Sequence, residues 1–95
     1  MPKGYLIAHI KVHDKEKFAE FSTMSTPVIS EYGGKVLVRS PTPEVKEGRD
    51  RGISIVIEFE SIKSAQKFYE SKKYTEAKAI RELASEAELI LVEGV

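Results

Sequence analysis

Three side chains in this sequence have the right types to move a proton and hold an anion: His9, Glu58 and Arg39. An imidazole titrates near neutral pH, a carboxylate orients it, and a guanidinium offers a planar fork to an anionic group. His9 and Glu58 each sit on the less apolar side of a run that alternates every second residue. Arg39 closes a short apolar run. If the three converge in a partly apolar cleft, His9 is the acid–base group, Glu58 its orienter and Arg39 the anion anchor. A plainer reading competes with this one. The same charges would satisfy each other across neighbouring strands, or pair at a subunit seam. Tyr69, Tyr74 and Arg81 flank a bend in the last helical region and are secondary candidates for substrate contact. Tyrosines also commonly cap a core while their hydroxyls reach water.

Other chemistries find less support. His9 and His13 are four residues apart along one strand, roughly 13 Å, too far for one ion to bridge. With no Cys in the chain, disulfides, thiolate catalysis and Cys-based metal sites are excluded together. No metal site and no cofactor are expected. Ser22, Thr23, Ser25 and Thr26 have no neighbouring base in the sequence to activate them. Gly33-Gly34 ends a helix where a phosphate-binding loop would begin one.

The elements that must position these residues follow from periodicity. Gly52–Phe59 alternates Ile53, Ile55, Ile57 and Phe59 with Ser54, Val56 and Glu58, which is a strand with one wholly apolar face. Tyr5–Val12 is a second such strand, with Leu6, Ala8, Ile10 and Val12 on one side and Tyr5, Ile7, His9 and Lys11 on the other. Asp14 caps a helix whose stripe is Phe18, Phe21, Ser25, Val28, Ile29 and Tyr32. Pro27 is expected to kink that helix in its second half, and Gly33-Gly34 to stop it. Lys35–Arg39 is a short strand, and Ser40–Arg51 a long polar connection, either a lid over the cleft or an arm reaching a partner. Ser61 caps the next helix, with Ala65, Phe68 and Tyr69 inward. After a break at Ser71-Lys72-Lys73 the stripe resumes with Tyr74, Ala77, Ile80 and Ala84. Leu89–Val92 is the last strand.

The order β-α-β-β-α-β with right-handed crossovers predicts an α+β, ferredoxin-like fold: a four-stranded antiparallel sheet with its helices on one face. The first and third strands are central. The opposite face would carry Ile7, Val36 or Leu37, Val56, and either Leu89/Leu91 or Ile90/Val92, too apolar to lie open to water. A homodimer formed by packing two sheets about a two-fold axis would cover it.

The 95 residues form one expected domain spanning 1–95. A chain this short buries only about 60–65% of its unfolded surface, so a partner would aid its stability. Lys+Arg and Asp+Glu number 15 each; this balance, with charges interspersed, gives no basis for nucleic-acid binding. Apolar runs are too short to span a membrane, and no apolar segment follows Met1-Pro2-Lys3-Gly4 as in a signal peptide. The expected setting is the cytoplasm.

Several runs together resemble a known family. They are Gly4-Tyr5, Glu31–Arg39, Pro43–Gly48, Glu58-Phe59, Phe68–Ser71, Tyr74, Ala77-Lys78, Arg81 and Leu91–Gly94. The chain resembles, over nearly its full length, the family known as domain of unknown function thirteen-thirty, in the dimeric α+β barrel superfamily. The resemblance implies a homodimer with each sheet closing against its mate, but no assigned chemistry. That superfamily includes cofactor-free monooxygenases, haem-degrading enzymes, isomerases and dehydratases. The haem-degrading and antibiotic-type monooxygenases resemble each other in using an Asn, a Trp and a His. This chain has no Trp and no Asn, which argues against that particular chemistry. A small-molecule enzyme or binder is therefore the first expectation, and a non-catalytic dimeric binding or regulatory module the second.

Overall fold

The computed structural model describes residues 2–95. The chain runs β1 (Gly4–Val12), α1 (Lys15–Glu31), β2 (Lys35–Ser40), β3 (Ile53–Phe59), α2 (Ile62–Glu70), α3 (Lys72–Ala84) and β4 (Ser85–Glu93). The strands form one antiparallel sheet in the order β2-β3-β1-β4, so β1 and β3 are central, as the element order predicts. All three helices cover one face. Between them and the sheet lie Leu6, Ala8 and Ile10 of β1, Ile57 and Phe59 of β3, and Phe18, Phe21, Val28, Ala65, Phe68, Tyr74, Ala77 and Ala84 of the helices. The fold is the expected α+β ferredoxin-like arrangement.

Helix ends are set by short polar side chains that take up otherwise unpaired backbone N–H groups. Asp14 Oδ1 accepts from Lys17 N at 3.1 Å, Ser61 Oγ from Ser64 N at 3.2 Å and Ser71 Oγ from Tyr74 N at 3.1 Å. Ser71 is at once the last cap of α2 and the first cap of α3. The break expected at Ser71-Lys72-Lys73 thus falls at Ser71, which divides the region into two helices. Helix α1 continues through Pro27 as one element. Pro27 removes only the bond its own N–H would have made, and it lies on an exposed side of the helix. Gly33 ends the helix with φ +74°, a conformation that other residues adopt at a cost.

Two strand details differ from the sequence reading. β4 begins at Ser85, four residues before the apolar run Leu89–Val92, because Glu86, Ala87 and Glu88 pair with Lys11, Ile10 and His9. The polar residues give no apolar signal, and the central strand supplies the pairing. β2 carries a bulge between Val36 and Val38. Val36 faces Ile57, Val38 faces Val56 and Arg39 faces Ile55, so Leu37 is the extra residue. Opposed residues in an antiparallel pair share a face, so the residues after the extra one lie on the face opposite to that which strict alternation along the sequence would assign them.

On the outer face, away from the helices, the registers assemble four-residue rows across the sheet. The middle row is Val38–Val56–Ile7–Ile90. On one side of it lies Lys35–Glu58–Tyr5–Val92, and on the other Ser40–Ser54–His9–Glu88. Val38 and Ile90 are 42% and 55% exposed. An apolar band therefore crosses the whole sheet, flanked by polar rows.

Candidate functional site

A cavity of about 270 Å³ lies between α1 and the sheet. Its depth is apolar: Leu6, Ala8 and Ile10 from β1, Ile55 and Ile57 from β3, and Phe68 at its aromatic end. Two of its wall positions carry small residues, Ala8 on the central strand and Ser25 on α1. Phe68 is fixed among aromatic neighbours, with ring centroids 4.5 Å from Tyr74, 5.2 Å from Phe59 and 6.3 Å from Tyr32. Val36 and Arg39 of β2 with Thr26 and Ser30 of α1 are wall residues that are also exposed. They mark the mouth at the β2 edge.

Arg39 reaches this mouth because of the Leu37 bulge. Strict alternation from Lys35 would have placed it on the outer face beside His9. The bulge turns it toward the helices, where its NH2 donates to Ser22 Oγ at 3.2 Å. Ser22 accepts at other atoms as well. Its carbonyl oxygen takes the Thr26 hydroxyl at 2.7 Å and the Ser25 hydroxyl at 3.5 Å. The hydroxyl-bearing cavity residues Ser22, Ser25, Thr26 and Ser30 recur at helical spacing on one side of α1. Their spacing in the sequence is the signal that would have found them; there Ser22, Ser25 and Thr26 figure as nucleophiles lacking a base, Ser25 also as part of the inward stripe, and Ser30 not at all.

Tyr74 also lines the cavity and is buried. Burial pushes its hydroxyl above the ordinary phenol range, and the positive charge of Arg81 pulls it part of the way back. Tyr69 and Arg81 stand behind Tyr74, outside the cavity wall. Tyr69 packs on Tyr74 at 5.5 Å and carries Lys78 over its ring, with Nζ 5.0 Å from the centroid. Arg81 is buried, its guanidinium carbon 5.8 Å from the centroid of Phe21, and its Nε has no hydrogen-bond partner. Contact with the ring face supplies part of the compensation such a buried cation needs.

The expected His9–Glu58–Arg39 cluster is not assembled. His9 lies opposite Ser54 and Glu88 on the outer face, whereas Arg39 lies on the helix side. Glu58 shares the outer face with His9 but stands opposite Tyr5, four residues further along β3, about 13 Å away. The row of Val56 and Ile7 separates them. Each group has a different neighbour. The Tyr5 hydroxyl donates to Glu58 Oε2 at 3.2 Å, and burial together with that carboxylate raises the Tyr5 pKa. His9 Nδ1 lies 3.3 Å from Ser54 Oγ. His9 faces a shallow polar groove shared with Lys11, Asp50, Arg51, Glu86 and Glu88, in which Arg51 and Glu88 form an ion pair. His13 is exposed at the β1–α1 turn. Among the described residues no group of three or more His, Cys, Asp or Glu side chains could hold a metal ion. Likewise none of the helices is long and apolar enough to cross a membrane.

The family model described as Domain of unknown function (DUF1330) matches residues 3–95. The chain belongs to the DUF1330 family. Solved structures similar to this DUF1330 chain include a protein of unknown function from Rhodopseudomonas palustris, with TM-score 0.80 and 17% identity over 99% of this chain and 83% of that one. SnoaB, a cofactor-independent oxygenase from Streptomyces nogalater, matches with TM-score 0.70 and 10% identity, covering 97% of this chain and 92% of that one. A dimeric protein of unknown function with a ferredoxin-like fold, from Bacteroides fragilis, matches with TM-score 0.56 and 12% identity over 96% of this chain and 95% of that one. At these identities the likeness is one of fold. No curated protein matches the DUF1330 chain.

Proposed function

We propose that this protein binds a small, largely apolar molecule in the cavity between α1 and the sheet, and that it works as a homodimer closed through the outer sheet face. The cavity carries the first part. It has an apolar depth, a defined mouth and a volume of about 270 Å³, at the small end of ligand pockets, which start near 300 Å³. Among the described residues the titratable side chains on its wall are Arg39 and Tyr74. His9 and Glu58 lie on the other side of the sheet, so the proposal is for binding and gives neither of them an acid–base role at this cavity. The second part rests on the Val38–Val56–Ile7–Ile90 band, which a second copy would remove from water. The dimeric Bacteroides fragilis protein of the same fold supports it.

The binding proposal is tested with 1-octanol, a neutral molecule of suitable size, by thermal denaturation. A ligand bound only by the folded state stabilises it by about 2.7 kcal/mol at one hundred times its Kd. The expected result is a saturable rise in melting temperature that is lost in Ala8→Leu, whose added carbons occupy the cavity. An equal rise in the wild type and in Ala8→Leu would place octanol elsewhere and refute the cavity site.

A further inference from the structure

We infer that the cavity takes an amphipathic anion: a monocarboxylate whose short apolar tail lies between α1 and the sheet and whose head meets Arg39. The inference rests on the binding proposal above and adds the chemical class of the ligand. The wall is divided along its length in a way that suits such a molecule. Leu6, Ile10, Ile57 and Phe68 make the deep end, and the exposed polar groups stand at the mouth.

At that mouth Arg39 carries a charge that nothing described in the chain neutralises. Its contact is a neutral hydroxyl, Ser22 Oγ at 3.2 Å, and the ion pairs among the described residues are Lys46–Glu44, Arg51–Glu88 and Lys73–Glu31. A guanidinium has five N–H donors in a rigid fork, so one bond to Ser22 leaves the fork open to a planar carboxylate. The Ser22 hydroxyl accepts from Arg39 and keeps its own proton to donate. It therefore holds the fork in place and adds a donor beside it.

A second cation stands close by. Arg39, Ser22 and Phe18 form the partition between the cavity and a neighbouring surface groove, and Lys15 lines that groove with them. A neutral apolar ligand would leave both charges unused. A carboxylate at the partition meets the guanidinium directly and lies in the field of the ammonium. The charge on the partner is therefore negative, and its shape is one planar head on a narrow tail.

The test compares sodium octanoate with 1-octanol at pH 7, using the full chain and isothermal calorimetry. The two share a tail and differ in the head. Wild type is expected to bind octanoate at least about tenfold more tightly than octanol, a typical consequence of one charge-assisted contact. Arg39→Met should abolish that preference, the two compounds then binding with equal affinity, and an unchanged far-ultraviolet circular dichroism spectrum shows that the variant is folded. Arg39→Lys, a charge without the fork, should fall between them. An octanoate preference that survives in Arg39→Met overturns the inference. So does equal affinity for the two in wild type, and then the binding proposal stands on octanol alone. If neither compound binds, both fail.

Discussion

Replacing Val56 by Lys tests the proposed assembly most directly, because Val56 occupies one of the two central positions of the outer apolar row, opposite Ile7 and Val38. In a single chain the change is mild. Val56 is only half-buried, the lysine stem can lie over the sheet with its ammonium in water, and the lost β-branching costs at most about 1 kcal/mol. In a dimer closed through this face the same ammonium is trapped without a carboxylate in the row. Two-fold symmetry doubles the effect. At about 3 kcal/mol of effective desolvation for each ion, the penalty is about 6 kcal/mol, or four powers of ten in the dimer dissociation constant. Sedimentation velocity at low micromolar protein should show a wild-type dimer and a Val56→Lys monomer, with nearly equal urea midpoints once the wild type is diluted to its monomer. A Val56→Lys dimer, or a wild-type monomer at that concentration, would refute the reasoning.

Other outcomes are expected on the same footing. Gly52 has φ +87°, and a Cβ there would stand 2.2 Å from the Ile10 carbonyl oxygen. Gly52→Ala should therefore cost roughly 3 kcal/mol in urea denaturation, and a cost under about 1 kcal/mol would show that the β1–loop contact yields easily. Burial raises the Tyr74 pKa, so the folded state favours the neutral phenol. That contribution is complete below the unfolded value near pH 10 and is lost as pH rises through the folded one. Tyr74→Phe should thus lose less melting temperature than wild type between about pH 9 and pH 11, and parallel profiles would contradict it. Chelator should leave the melting temperature unchanged, while a drop would point to a bound metal that stabilises the fold.

The sequence discloses most of the fold because the two central strands and the helices carry one apolar face each. Ile53, Ile55, Ile57 and Phe59 leave no doubt about which side of β3 meets the helices, and Leu6, Ala8 and Ile10 do the same for β1. The edge strands are harder. Lys35-Val36-Leu37-Val38-Arg39 is apolar at three consecutive positions, so nothing in it reveals a register or a bulge. That single ambiguity misplaced Arg39 and with it the expected cluster. The separation of His9 from Glu58, by contrast, follows from β1–β3 register, which depends on long-range pairing and not on either strand's pattern. Of the secondary candidates, Tyr74 is at the cavity and Tyr69 and Arg81 are its supports, a distinction set by helix packing about Ser71. The cavity itself is walled by residues of β1, β2, β3 and α1 that are distant in the chain and meet only once it is folded.

The Leu37 bulge also sets how such a chain can change over evolutionary time. β2 is an edge strand, bonded on one side only, so gaining or losing one residue there disturbs a single ladder. Deleting Leu37 would remove the bulge yet leave Val38 opposite Val56 and Arg39 opposite Ile55, so Arg39 would stay at the mouth of the cavity. The cavity would keep its charge, and the deletion chain should still prefer octanoate to octanol. The loss of a residue at a strand edge, commonly regarded as damage, is here a change that the ligand class would survive.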